Sequence, residues 1–141
     1  KMGVVVHVIT QETENDQLHD GGELGPERKM YYRELIARFG HHPALIWNLG
    51  EENTNTTQQQ KDFADYFKAT DPYKHPTALH THTTKWEHFY GPLLGHKSLD
   101  VLSFQTRDKL RVINTQTQKW IQRSAAAGHP WVFFLDEPGI A

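Results

Sequence analysis

Cysteine is missing from all 141 residues, which excludes a disulfide framework, a thiol nucleophile and any thiolate-held metal. Surplus charge is missing too. Fifteen Lys and Arg stand against 17 Asp and Glu, interspersed, for a formal charge of −2, so neither the basic footprint of a nucleic-acid binder nor a polybasic membrane patch is present. No apolar run approaches the roughly 20 residues that span a bilayer, and no signal-peptide pattern opens the chain. No nucleic-acid or membrane partner is therefore expected. No Gly-x-Gly-x-x-Gly or phosphate loop follows the first strand, as a nucleotide-binding open sheet would often show, and no cofactor is expected.

What remains is ordinary for a globular chain with one core: 37% hydrophobic and 23% charged residues. Lys1-Met2-Gly3 runs almost at once into a Val-rich strand, so residues 1–141 are expected to be one partial domain cut from a longer multidomain protein.

Val4 to Thr10 is β-branched and nearly continuously apolar, the pattern of a strand buried on both faces of a parallel sheet. Pro26 opens a helix whose Tyr32, Leu35, Ile36 and Phe39 form one apolar stripe, ended by Gly40. Ala44 to Leu49 is a second strand, followed by a helix from about Gln58 to Ala69 with Phe63, Tyr66 and Phe67 inward and a stop at Asp71-Pro72. Pro76 to His82 is a third strand, and an aromatic-rich short helix or loop around Trp86 to Leu94 leads to a fourth, Asp100 to Gln105. Ile113, Trp120 and Ile121 mark a last helix to about Ala127, stopped by Gly128 before the strand Trp131 to Leu135.

This alternation is that of repeating right-handed βα units. Polar and acidic residues cluster just beyond several strand ends, where barrel active sites are built. The expected fold class is α/β, five parallel strands of a partial (β/α)₈ TIM barrel with intervening helices. Five strands cannot close such a barrel, so the remaining strands are expected from the parent chain or a partner chain.

Two strands end in carboxylates: Trp47-Asn48-Leu49-Gly50-Glu51-Glu52-Asn53 and Leu135-Asp136-Glu137-Pro138-Gly139. Glycosidic-bond hydrolysis needs two such groups, one to protonate the leaving oxygen and one to attack carbon or activate water. Glu52 and Glu137 are expected to face each other across a sugar-binding cleft. Gln105 and Glu14 are expected to line it, and Trp86 and Tyr90 to stack on a sugar face. Trp47 and Trp131 are expected in the core. His80-x-His82 has metal-ligand spacing on a strand, although hydrogen bonding to substrate or to the glutamates is the expected role. Asp136 is expected to point away from Glu137, and Glu12, Glu23, Glu27 and Glu34 to sit on solvated faces.

The first of these motifs resembles the fourth-strand end of the large glycoside hydrolase clan of (β/α)₈ barrels, where an Asn-Glu pair supplies the acid/base. The second resembles that clan's seventh-strand end, which carries the nucleophile. The resemblance implies Glu52 as acid/base, Glu137 as nucleophile, and the present strands as the third to seventh. Glu51 stands where the clan has asparagine; either Glu51 or Asn53 takes the sugar contact, or Glu51 is itself the acid. The whole chain also resembles catalytic domains of bacterial polysaccharide-degrading enzymes, which implies a carbohydrate substrate, a secreted, periplasmic or cell-surface location, and no metal. Two other readings remain: a metal-dependent barrel hydrolase or isomerase using His80, His82 and Glu52, and a non-catalytic carbohydrate-binding barrel or inactive fragment.

Overall fold

A computed structural model describes residues 3–52, 54–106 and 110–138. Five strands, β1 (Val6–Ile9), β2 (Leu45–Asn48), β3 (Thr77–His82), β4 (Val101–Thr106) and β5 (Val132–Pro138), alternate with helices α1 (Pro26–Phe39), α2 (Thr57–Thr70), α3 (Trp86–Phe89) and α4 (Leu110–Ala126). All neighbouring strands pair in parallel in the order β1-β2-β3-β4-β5, and the sheet curls into a half-barrel.

The helix boundaries follow local chemistry. Pro26 at the start of α1 has a preset φ and no N–H to satisfy, and Gly40 closes the helix. Thr56 and Gln59 cap α2 reciprocally, each side chain bonding the other's backbone N–H. Gly128, at φ +80°, ends the turn after α4 in a conformation that costs glycine little.

Alternation along the strands sorts side chains into two faces. Leu45, Trp47, Leu49, Leu79, Leu102 and Phe104 join one large cluster with Tyr32, Ile36, Phe63, Phe67, Tyr90 and Trp120 from the covering segments. Ile46, Ala78 and Val101 form a small separate cluster on the other, concave face. Both Trp47 and Trp131 are core residues.

Three expectations need correction. β1 is not buried on both faces: Val6 and Ile9 are exposed, because β1 is an edge strand paired only with β2. Phe39 and Ile121 are exposed as well, at the outer margins of their helical stripes. Trp86 is only 2% exposed and packs edge-on against Phe104 and Trp120; Tyr90 is fully buried, its hydroxyl donating to the Ser103 carbonyl at 2.7 Å with the Leu79 carbonyl 3.1 Å away. Neither ring can stack on a sugar. Their segment is drawn inward because both rings join the core cluster with Leu79 of β3 and Leu102 and Phe104 of β4.

Candidate active site

The mouth of the half-barrel is built from the C-terminal ends of the strands. Beyond β2, Gly50 adopts φ +153°, Glu51 forms an isolated parallel bridge with Glu12, and Glu52 turns the chain at φ +46°. A positive φ is uncommon for a residue with a Cβ, and such strain is typical of functional loops. The loop after β1 is tied down by Arg28, a buried cation that donates to the Asp16, His19 and Glu23 carbonyls and lies 4.8 Å from the centre of the Phe63 ring. Asp16 in turn accepts from the Thr54 hydroxyl at 2.9 Å and from the Thr54 N–H. The exits of β1 and β2 are thus held together by one buried network.

Glu51 and Glu137 hydrogen-bond each other through their side chains. Glu51 follows β2 and Glu137 lies near the end of β5, with two strands between; in a flat sheet three spacings of ~4.8 Å would put them about 14 Å apart, so it is the curl that joins them. Burial, the hydrogen bond and charge of Glu137, and the charges of Glu12 and Glu52 together raise the Glu51 pKa from 4.5 to about 7. Glu51 therefore keeps its proton well into the neutral range.

His80 completes the group. One donor atom from each of Glu51, His80 and Glu137 lies within 4.8 Å of the other two, and His80 Nε2 is 4.0 Å from Glu51 Oε1. Behind it, His80 Nδ1 contacts Ser103 Oγ at 2.8 Å and Ser103 donates to Asp136. Asp136 also faces His7, with 3.4 Å between Nδ1 and Oδ2. Burial lowers the pKa of both histidines, against the opposing pull of nearby carboxylates.

Asp136 was expected to point away from Glu137, yet both side chains reach the His80 surroundings. A β-bulge explains this. Phe104 pairs with Leu135 and Gln105 with Glu137, leaving Asp136 as the extra residue between them. Bulges of this kind break alternation and re-aim side chains.

Glu52 lies outside the proton-sharing pair. It lines an open depression of about 570 Å³ with Thr13, Thr54, His82, Thr84, Lys85, His88 and Phe89. A smaller one of about 130 Å³ is lined by Glu12, Thr13, Glu14, Glu51 and Glu52, which places Glu14 on the cleft wall. Glu12 lines it too and is exposed to solvent, as expected. His82 points to the larger depression, its Nδ1 engaged by Thr84, so the His80-x-His82 pair does not converge. Gln105 is half-buried and pairs with Glu137 through the backbone. Asn53 lies outside the described residues. Sequence reasoning passed over Ser103 and His7, which carry no motif; their signal is a polar residue at an inward position of an otherwise apolar strand.

No protein-family model matches the chain, and neither a curated protein nor a solved structure matches it significantly.

Proposed function

We propose that this half-barrel is the catalytic part of a retaining glycoside hydrolase acting on a polysaccharide or oligosaccharide, its strands being the third to seventh of a (β/α)₈ barrel. The observation that carries this reading is the Glu51–Glu137 carboxyl pair, one member of which holds a proton near neutral pH. In the first step a Glu137 oxygen bonds the anomeric carbon while the bond to the leaving oxygen breaks and takes the Glu51 proton. In the second, the ionised Glu51 removes a proton from water, whose oxygen bonds the anomeric carbon and releases Glu137. Hydrogen-bonded carboxyls stand closer than the about 5 to 5.5 Å of retaining enzymes, so the pair is nearer that geometry than the roughly 6.5 to 9.5 Å of inverting ones, and a sugar entering between them would part the two groups.

The motif register favours Glu52 as the acid, and one observation supports that second reading: Glu52 opens on the larger depression, the more spacious of the two for a sugar. Aryl glycosides with good and poor leaving groups separate the two. Loss of the true acid slows poor leaving groups far more than good ones, so Glu51→Gln and Glu52→Gln give opposite patterns under the two readings. Equal turnover of all glycosides by wild type and by Glu137→Ala would overturn the glycosidase reading itself.

A further inference from the structure

His80 is 2% exposed on the concave face of β3. Its ring nitrogens are not equivalent. The Ser103 hydroxyl has one proton, and it goes to Asp136, so the 2.8 Å contact between His80 and Ser103 is Nδ1–H donating to the Ser103 oxygen. Nε2 therefore carries a lone pair. It is buried with no hydrogen-bond partner among the described residues, and what it faces are the carboxyl groups of Glu51 and Glu137. Orphaned buried polar atoms are rare in folded proteins and call for a ligand, water or ion.

At 4.0 Å, Nε2 and Glu51 Oε1 are too far apart for a direct hydrogen bond. Two ligands bound at about 2.0–2.2 Å to one zinc ion, however, stand roughly 3–4 Å apart. The 4.0 Å between Nε2 and Glu51 Oε1 lies at the top of that range, and the three ligand atoms lie within 4.8 Å of one another, so a modest inward movement would close them on an ion. The site also offers the supporting arrangement that metal-bound histidines use, with the second ring N–H donated away from the metal and anchored toward a carboxylate. One nitrogen and two carboxylate oxygens suit zinc or a similar transition cation better than calcium or magnesium, which take all-oxygen shells.

We propose that Glu51, His80 and Glu137 bind a divalent transition cation at the mouth of the half-barrel, with Ser103 and Asp136 orienting the His80 ring. Three protein ligands leave a fourth position for water or a substrate oxygen. The site shares Glu51 and Glu137 with the proposed hydrolase but does not rest on that reading. If the pair is hydrolytic, a bound cation displaces the proton Glu51 would donate and acts as an inhibitor. His82 has no part in it: its Nδ1 accepts from the Thr84 N–H, which leaves the ring proton on Nε2, and the side chain lines the neighbouring depression.

The test is calorimetric titration of the 141-residue chain with zinc chloride, alongside His80→Ala, Glu137→Gln, Ser103→Ala and His82→Ala, each checked for fold by circular dichroism. The expected result is one site in wild type, weakened at least about 10-fold in His80→Ala and Glu137→Gln, about 10-fold in Ser103→Ala, and unchanged in His82→Ala. If His80→Ala does not fold, the exposed Glu137 variant and the visible spectrum of the cobalt-substituted wild type decide. Bands of four- or five-coordinate cobalt, lost on adding zinc, support the site. Absence of zinc uptake by wild type overturns it, as does affinity unchanged by both His80→Ala and Glu137→Gln, which would move the cation to exposed histidines such as His41 and His42. The readout is binding rather than turnover, so this inference and the hydrolase reading fail separately.

Discussion

The side chains of Glu51 and Glu137 hydrogen-bond across the concave mouth, although β2 and β5 are separated by two intervening strands. The contact makes curvature of the sheet a condition for the pairing of the two carboxyls. A substitution that flattens the sheet would separate the two groups without touching either.

On the proposed hydrolase reading, the pair predicts a specific kinetic signature in the parent protein. Glu51→Gln lowers turnover of glycosides with poor leaving groups by about 10²- to 10⁴-fold, the usual weight of a general acid, while activated aryl glycosides are much less affected. Glu137→Ala removes turnover of both, and azide restores it by taking the nucleophile's place. Steady-state kinetics on the two substrate types check both outcomes.

Stability carries the same signature in its pH dependence. Because the folded-state pKa of Glu51 is raised from 4.5 to about 7, the folded chain binds more protons than the unfolded one in that window. The stability contributed by the protonated group is fully present below pH 4.5 and is lost as pH rises through 7. His80 works in the opposite sense: its pKa is depressed, so the unfolded chain binds more protons below 6.5, and stability falls as pH drops beneath that value. Urea unfolding of wild type and Glu51→Gln at pH 5 and pH 7.5 should show wild type losing ground to the variant at the higher pH.

Much of the architecture was legible in the chain. The strand and helix order, the Pro26 start, the Gly40 and Gly128 stops and the buried Trp47 follow from local signals that tertiary packing did not override. The partnership of the acids was less so. Glu51 and Glu52 are adjacent, and which of them meets Glu137 depends on the backbone at Gly50 and Glu52, where positive φ values redirect the chain; a motif register contains no such information. Asp136 was misread because period-2 alternation fails at a bulge, and a bulge is set by strand pairing. Arg28 was illegible for a similar reason: its carbonyl partners become neighbours only when the loop closes around it.

Trp86 predicts a stability effect in place of a binding one. Its ring is buried among Phe104, Tyr90 and Trp120, so Trp86→Ala should cost about 3–5 kcal/mol by the usual scale of large core deletions. Denaturant unfolding measures the loss, while saturating sugar should leave the environment of this indole unchanged by solvent-quenching fluorescence.

The outer strands predict association. Val6 on β1, with Val4 and Val5 just before it, and Val132 and Phe134 on β5 are exposed, and each of the two strands has only one partner. Unpaired apolar edges recruit other strands. The 141-residue chain should therefore show a mass that rises with concentration by light scattering, and Val6→Lys with Val132→Lys should suppress the rise.

The most direct test of the central claim is a carbon-13 NMR titration of the glutamate carboxyls in wild type, Glu51→Gln and Glu137→Gln. The account predicts a carboxyl with a midpoint near pH 7 in wild type, absent in Glu51→Gln and shifted down in Glu137→Gln as the partner's charge is removed. A Glu51 midpoint at its ordinary 4.5, unmoved by Glu137→Gln, would contradict it.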